Sequence, residues 1–393
     1  MSNDRTLVPF LKRPSPAEEF AATARRLKHE REMASQLVEP LLRRTSSTEW
    51  PSLAENTDLR TAGALERLSD IFSNTLTKEP LRAKVLAELA VSLAEAIDPT
   101  AYPPIILAQL QASAWKDHGK VLRFIGKNPE AIKSFRLAEH KLDAFSVLAH
   151  DRAAVRFNLA MSLQEMEQFK ESQALLSESR EVFRDHGDAR NAILCGLAEG
   201  VLLQRMGRFR DARETYLLLL ASTRDIDTES LAAIHHAIGF CSIELEAYAD
   251  ADSNLRHAIA LYRQVGQPMV ILKVELGRGR LFIRRGEPAH SIAHLRPVRR
   301  DFLRNGMHEE AGICGLEIVE AFLLLGRASE AETLARKIVR EFTLAELNKR
   351  AIIALSYLTE TIITRQAQPS LVSQVREYIL SLRVKPEREF QLT

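Results

Sequence analysis

The stretch Ala114-Trp115-Lys116-Asp117-His118-Gly119-Lys120-Val121-Leu122, followed after Gly126-Lys127-Asn128-Pro129 by Glu130-Ala131, decides the fold. Small and apolar residues recur at helical spacing on both sides of the break, and Phe135 and Ala138 continue the second half. Two helical patterns separated by Gly, Asn and Pro read as a helical hairpin. The hairpin repeats. The Gly119 position returns as Ala160, Gly200, Gly239, Gly279 and Val319, at steps of 41, 40, 39, 40 and 40 residues. The Ala131 position returns as Ser172, Ala212, Ala251, Ser291 and Ala331. Four residues later stand Phe135, Leu176, Tyr216, Leu255, Leu295 and Ala335.

Each column has a physical reason. A small residue on the first helix facing a small one on the second lets two backbones approach, and the large residue one turn later fills the space beside them. The turn carries Gly126, Gly207, Gly286 and Gly326, with Glu167 and Glu246 in the other two units; glycine there supplies positive φ for a tight reversal. Gly187, Gly266 and Gly306 close the second helix, with Phe183, Tyr262 and Phe302 four residues earlier as apolar plugs. The fold read from this is all-α: a superhelical α-solenoid of about eight antiparallel helix hairpins. Each unit buries its apolar stripe only against its neighbours.

Trp115, Gly119, Ala131, Phe135 and Ala138 resemble the tetratricopeptide repeat, with Leu122 where that pattern has Tyr and His118 where it has Leu. The resemblance spans about residues 60–383 and is sharpest from Trp115 to Phe302. It departs in period, 40 residues where the standard unit has about 34. Longer units of this kind occur in kinesin light chains and bacterial peptide-receptor regulators. The resemblance implies first helices lining a concave groove, and a non-enzymatic scaffold or adaptor that binds a peptide or protein segment there. A peptide-sensing regulator of the same fold is the alternative.

The array does not begin at once. Residues 1–57 do not follow the period and read as an N-terminal helical extension; 58–343 hold the tandem hairpins, and 344–393 a C-terminal hairpin and tail. Ser15-Pro16 is a good helix start, with Ser as the cap and Pro at the first helical position, and the helix can run to about Arg44. Its basic stretch, Arg25, Arg26, Lys28 and Arg31, lacks the short glycine-containing turn of a DNA-reading helix pair, so a packed cap is the expectation. Thr61–Thr75 and Leu81–Ile97 form one further hairpin, opened at Pro80; Leu344–Thr364 and Ser370–Leu382 form the last.

Composition narrows the function. The 393 residues carry 54 Lys+Arg against 52 Asp+Glu, a net charge of +2, so the chain is no polycation for nucleic acid as a whole. Apolar residues at 46% supply a sizeable core. No apolar run approaches the roughly 18–20 residues of a membrane span. Cys195, Cys241 and Cys314 have no partner at disulfide-loop or metal spacing, which fits reduced thiols and a cytoplasmic location. No phosphate-binding loop, nucleophile elbow or metalloprotease helix is present, so neither enzyme activity nor a cofactor is expected. His290 and His294 are four residues apart but lack a third ligand, and no metal is expected.

The groove is the candidate site. Projected through the resemblance, its face presents Lys116, Lys120 and Arg123, then Asn158, then apolar Leu197 and Val201, then His236 and Phe240, then Arg280 and Arg284. Glu317 and Glu320 stand on the same face of the next unit. Lys116 and Asn158 match a carboxylate clamp known in the family, but Lys120, Leu194 and Ala198 replace its other members. A partner complementary to this order has an apolar middle and acidic groups towards its ends. Residues 278–304 hold eight arginines against Glu287 and Asp301, a net of +6, which would also attract a nucleic-acid backbone. These arginines divide between both helices of their hairpin and have little aromatic interleaving for base stacking.

Overall fold

A computed structural model describes residues 16–76, 78–222, 226–382 and 385–391. Ser15, the expected cap, lies outside them. The described residues form seventeen α-helices and three short 3-10 segments, with no strand. They divide into two compact units, one up to Met166 and one from Glu167 onward.

The first unit holds α1 (Pro16–Arg44), α2 (Ala62–Thr75), α3 (Pro80–Glu95), α4 (Pro104–Phe124), α5 (Asn128–Leu142) and α6 (Ala149–Glu165). Proline opens α3, where its missing N–H costs nothing. Thr61 caps α2 by accepting from the Ala64 amide at 3.2 Å. The long helix α1 packs on α2 because Gly63 leaves no Cβ where the Glu30 backbone carbonyl passes. The Glu30 carboxylate then accepts from the Ala62 amide at 3.0 Å and the Tyr102 hydroxyl at 2.7 Å. Val38, Leu42, Trp50, Leu59, Leu68 and Leu93 are buried together beneath this crossing.

The second unit holds α7 (Phe169–Asp185), α8 (Ala189–Arg205), α9 (Phe209–Ser222), α10 (Thr228–Glu244), α11 (Tyr248–Gln264), α12 (Pro268–Arg284), α13 (Pro288–Arg304), α14 (His308–Leu324), α15 (Ala328–Leu344), α16 (Lys349–Ile363) and α17 (Pro369–Leu382). From α10 to α15 every helix spans 17 residues. Two such helices and two three-residue turns make the 40-residue period, so the excess over the usual repeat lies in longer helices. The turn column is left-handed at all six positions: Gly126, Gly207, Gly286 and Gly326 have φ between +69° and +78°, and Glu167 and Glu246 both hold +59°. The two glutamates accept backbone strain that glycine avoids. Gly187, Gly266 and Gly306 are left-handed too, and Glu346 joins that column at φ +50°.

Two expectations are corrected. The large column does not lie beside the glycine but directly on it: a Cβ on Gly119 would stand 2.6 Å from the Phe135 ring, and one on Gly239 2.7 Å from Leu255. Gly200 lies under Tyr216 and Gly279 under Leu295 in the same way. The expected helix Leu344–Thr364 is interrupted, because α15 runs on to Leu344 and the chain restarts at Lys349 with Asn348 as cap. Among the described residues no helix is long and apolar enough to cross a membrane.

Candidate functional site

In the first unit, Lys116, Lys120 and Arg123 fall four and three residues apart, so α4 carries all three on one face. They are not equivalent. Lys120 donates to Asp117 Oδ1 at 3.1 Å, and buried Asp117 also accepts from Ser69 Oγ at 2.5 Å. Lys116 and Arg123, both half-buried, make no ion pair or hydrogen bond with another described residue. The Lys116 pKa is lowered by burial and by the Lys120 ammonium, against the weaker pull of Asp117 and Asp151. Burial lowers that of Arg123 as well, with Glu165 opposing, and its buried Nε has no acceptor. A desolvated cation without a direct ion pair is a costly arrangement that an anion relieves.

Lys116 and Asp117 line a cavity of about 360 Å³. Its apolar wall includes Leu27 of α1, Leu65 of α2, Ile106 and Leu110 of α4 and Val155 of α6. Around it, Arg31 is held by Glu66 at 2.7 Å and Asp151 accepts from Gln109 at 3.0 Å. Asn158, on α6, spends its side-chain amide on the Ala154 carbonyl at 2.8 Å.

The apolar candidates stand in the second unit. Leu197 packs partly against the core of α8 to α10, whereas Val201 is 40% exposed. Phe240 is half-buried and meets the Phe209 ring edge-on, with centroids 6.2 Å apart. His236, also half-buried, has its pKa pushed down to about 4 by burial and then by Lys273, so it stays neutral.

The second basic cluster is arranged differently. Arg280 does not stand open on the face: its Nε and Nη2 both reach Glu317 Oε1 at 2.8 Å. Glu317 and Glu320, expected to face the groove, are buried under α17. Arg376 of that helix contacts Glu317 Oε2 at 3.0 Å and Glu320 Oε2 at 2.8 Å. Burial alone would raise the Glu317 pKa, but the charges of Arg280 and Arg376 more than reverse it and the carboxyl is held low. Arg284 is exposed. Nothing in a single repeat announces this network; the signal that could have found it is Arg376 itself, a charge inside the apolar stripe Val372, Val375 and Ile379.

The arginine-rich stretch is largely neutralised. Arg278 reaches Asp252 and Glu275, Arg285 meets Glu287, Arg299 meets Glu341 and Arg304 meets Asp301. His294 hydrogen-bonds Glu275, while His290 turns to Glu287, so the two histidines go to different carboxylates. All three cysteines are buried thiols. Burial raises the pKa of Cys195 to about 12, which makes it a poor nucleophile.

Solved structures match this arrangement of paired helices. The apo form of RapI gives a TM-score of 0.55 at 17% identity, over 71% of this chain and all of that one. The array is a tetratricopeptide-type helical repeat fold. A Rap protein complexed with competence and sporulation factor gives 0.53 at 13% identity, over 92% of this chain and 99% of that one. The apo form of the quorum sensor NprR from B. thuringiensis gives 0.57 at 11% identity, over 87% and 99% respectively. No protein-family model matches the chain, and no curated protein matches it either.

Proposed function

We propose that this tetratricopeptide-type chain is a non-enzymatic adaptor or scaffold that holds an acidic segment of a protein or peptide on the α4 face of its first unit. The observation that carries the reading is the pair Lys116 and Arg123, half-buried cations on one helix face that have carboxylates nearby but no direct ion pair. Acidic side chains or a terminal carboxylate would supply what both lack, and the cavity beside Lys116 would take an apolar neighbour. Leu197, Val201 and Phe240 are a separate apolar candidate within the second unit. A cytoplasmic setting belongs to the same proposal and is supported by the three buried thiols.

The peptide-sensing alternative draws support from the similar structures, one a Rap protein with a bound factor and one a quorum sensor. Nucleic-acid binding through residues 278–304 loses support, because so many of those arginines are matched by carboxylates. Selection of a displayed random-peptide library on the full chain tests the reading. Enrichment of Asp and Glu next to an apolar residue, abolished by Lys116→Glu with Arg123→Glu, supports it. Enrichment without acidic residues, or recovery unchanged by the two reversals in a folded variant, refutes it.

A further inference from the structure

The last helix breaks the pattern of those before it. In the second unit α9, α11, α13 and α15 each pack between the first helices on either side, whereas α17 packs on α16 and on α14. The residues it covers are informative. Glu317 and Glu320 occupy the repeat positions held one unit earlier by Gly277 and Arg280, and two units earlier by Ala237 and Phe240. These positions lie on one face of the first helices, and on α14 a segment of the same chain covers it.

We propose that the face of α14 beside α12 is a docking surface for a helix presenting one arginine within an apolar stripe, and that α17 is its resident occupant, exchangeable for a partner helix of that chemistry. The face offers two buried carboxylates, with Arg280 fixing Glu317 from the α12 side. Ser373 adds a hydrogen bond to Glu320 at 3.3 Å, and Val372, Val375 and Ile379 supply the flanking apolar contacts. A helix needed only to seal the core would be served as well or better by apolar residues, because desolvation offsets most of what a buried ion pair contributes; such a pair selects its partner instead.

The link that leads into α17 suits release. Thr364, Arg365 and Gln366 in the link from α16 are exposed, and Arg365 holds φ +57°. Beyond α17 the tail is held by ion pairs from Arg350 to Glu387 at 3.1 Å and from Lys385 to Glu167 at 2.6 Å, by hydrogen bonds from Asn348 and Tyr378, and by the Phe390 ring against Tyr357 and Tyr378. Lys385, Glu167 and Glu387 are exposed, where such pairs contribute little. The partner differs from the acidic segment proposed for α4: it is a helix with a central arginine, so this inference does not depend on the first site.

The test uses the full-length chain and a synthetic peptide of residues 369–382 carrying a fluorophore. Hydrogen exchange on the unmodified chain should show α17 exchanging faster than α14 and α16. In anisotropy titrations the peptide should bind the Arg376→Ala chain at least about tenfold more tightly than the unmodified chain, whose face is occupied. A peptide with Arg376→Ala should lose that advantage. Exchange of α17 only together with α14 and α16 would make it a fixed cap and overturn the proposal. So would loss of helicity throughout the Arg376→Ala chain, or equal peptide binding by both chains. A dimer of the Arg376→Ala chain that excludes the peptide would assign the face to a second copy and likewise overturn the partner proposed.

Discussion

The first helices α4 and α12 both carry basic residues around the small column, Lys116, Lys120 and Arg123 on one and Arg280 and Arg284 on the other, with only Lys120 and Arg280 at the same repeat position, and the two helices differ in how the remaining charges are matched. On α4 only Lys120 is paired, with Asp117, while Lys116 and Arg123 are desolvated and feel Asp117, Asp151 and Glu165 without a direct ion pair. On α12 the guanidinium of Arg280 is matched by Glu317, which Arg376 matches again from a third helix. A line of cations at the right spacing is therefore no measure of a binding face. What counts is whether the fold supplies the counter-charge. The α4 face awaits one from outside, and the α12 face has received its own.

Substitution of the two groups should separate them most widely. Glu317→Ala leaves Arg376 and Arg280 short of a counter-charge inside the second unit, and breaking a buried pair in this way costs about 3–5 kcal/mol. Lys116→Met removes a desolvated ammonium that has no direct ion pair and should leave stability unchanged within about 0.5 kcal/mol, or raise it. Chemical denaturation of both variants checks this. Equal losses would mean that Asp117 and Asp151 compensate Lys116 as fully as Glu317 compensates Arg376.

A smaller effect tests what the two units share. Gly119→Leu in the first and Gly279→Leu in the second each drive a side chain into the large residue seated on the glycine, Phe135 or Leu295. Overpacking of this kind costs about 1–3 kcal/mol or more. Thermal melts should fall for both. A neutral result in one unit would mean that its hairpin is not built on the common column.

Protonation gives the smallest expected change. The folded pKa of His236 lies at about 4, below the ordinary value, so its contribution is fully present above about pH 6.5 and is lost as pH falls towards 4. Glu317, also held low, withdraws its contribution further down, as pH falls below the ordinary glutamate range of about 4.3. Stability of the second unit should therefore decline in two stages on acidification. His236→Gln should flatten the upper stage in a pH series of denaturation midpoints, and an unchanged upper stage would count against the burial of that imidazole.

What could be read from the sequence was local in the chain. The Gly119 and Ala131 columns and the turn glycines act within one hairpin, so spacing alone revealed them, and the left-handed φ at Glu167 and Glu246 confirms the turn column even where glycine is missing. Glu346 escaped notice because nothing in its residue type signals a left-handed turn. The site was less legible, because its charges are matched across long separations. Arg280 and Glu317 lie 37 residues apart, and Glu320 and Arg376 lie 56 apart. The repeat pattern says which face a residue occupies, but not that the last helix will fold back onto that face. The cavity in the first unit was hidden for the same reason, since α1 and α2 supply Leu27 and Leu65 from outside the best-conforming repeats.

The most direct measurement is a titration of one selected acidic peptide against three chains at low and high salt, with helicity checked first: the unmodified protein, the Lys116→Glu/Arg123→Glu variant, and an Arg284→Glu variant. The account predicts a loss of at least about tenfold, roughly 1.4 kcal/mol, for the double reversal, together with a flattened salt dependence. It predicts little change for Arg284→Glu, whose exposed charge is screened by water. Binding that survives the double reversal but is lost with Arg284→Glu would contradict it, and would place the acidic segment at the exposed end of α12.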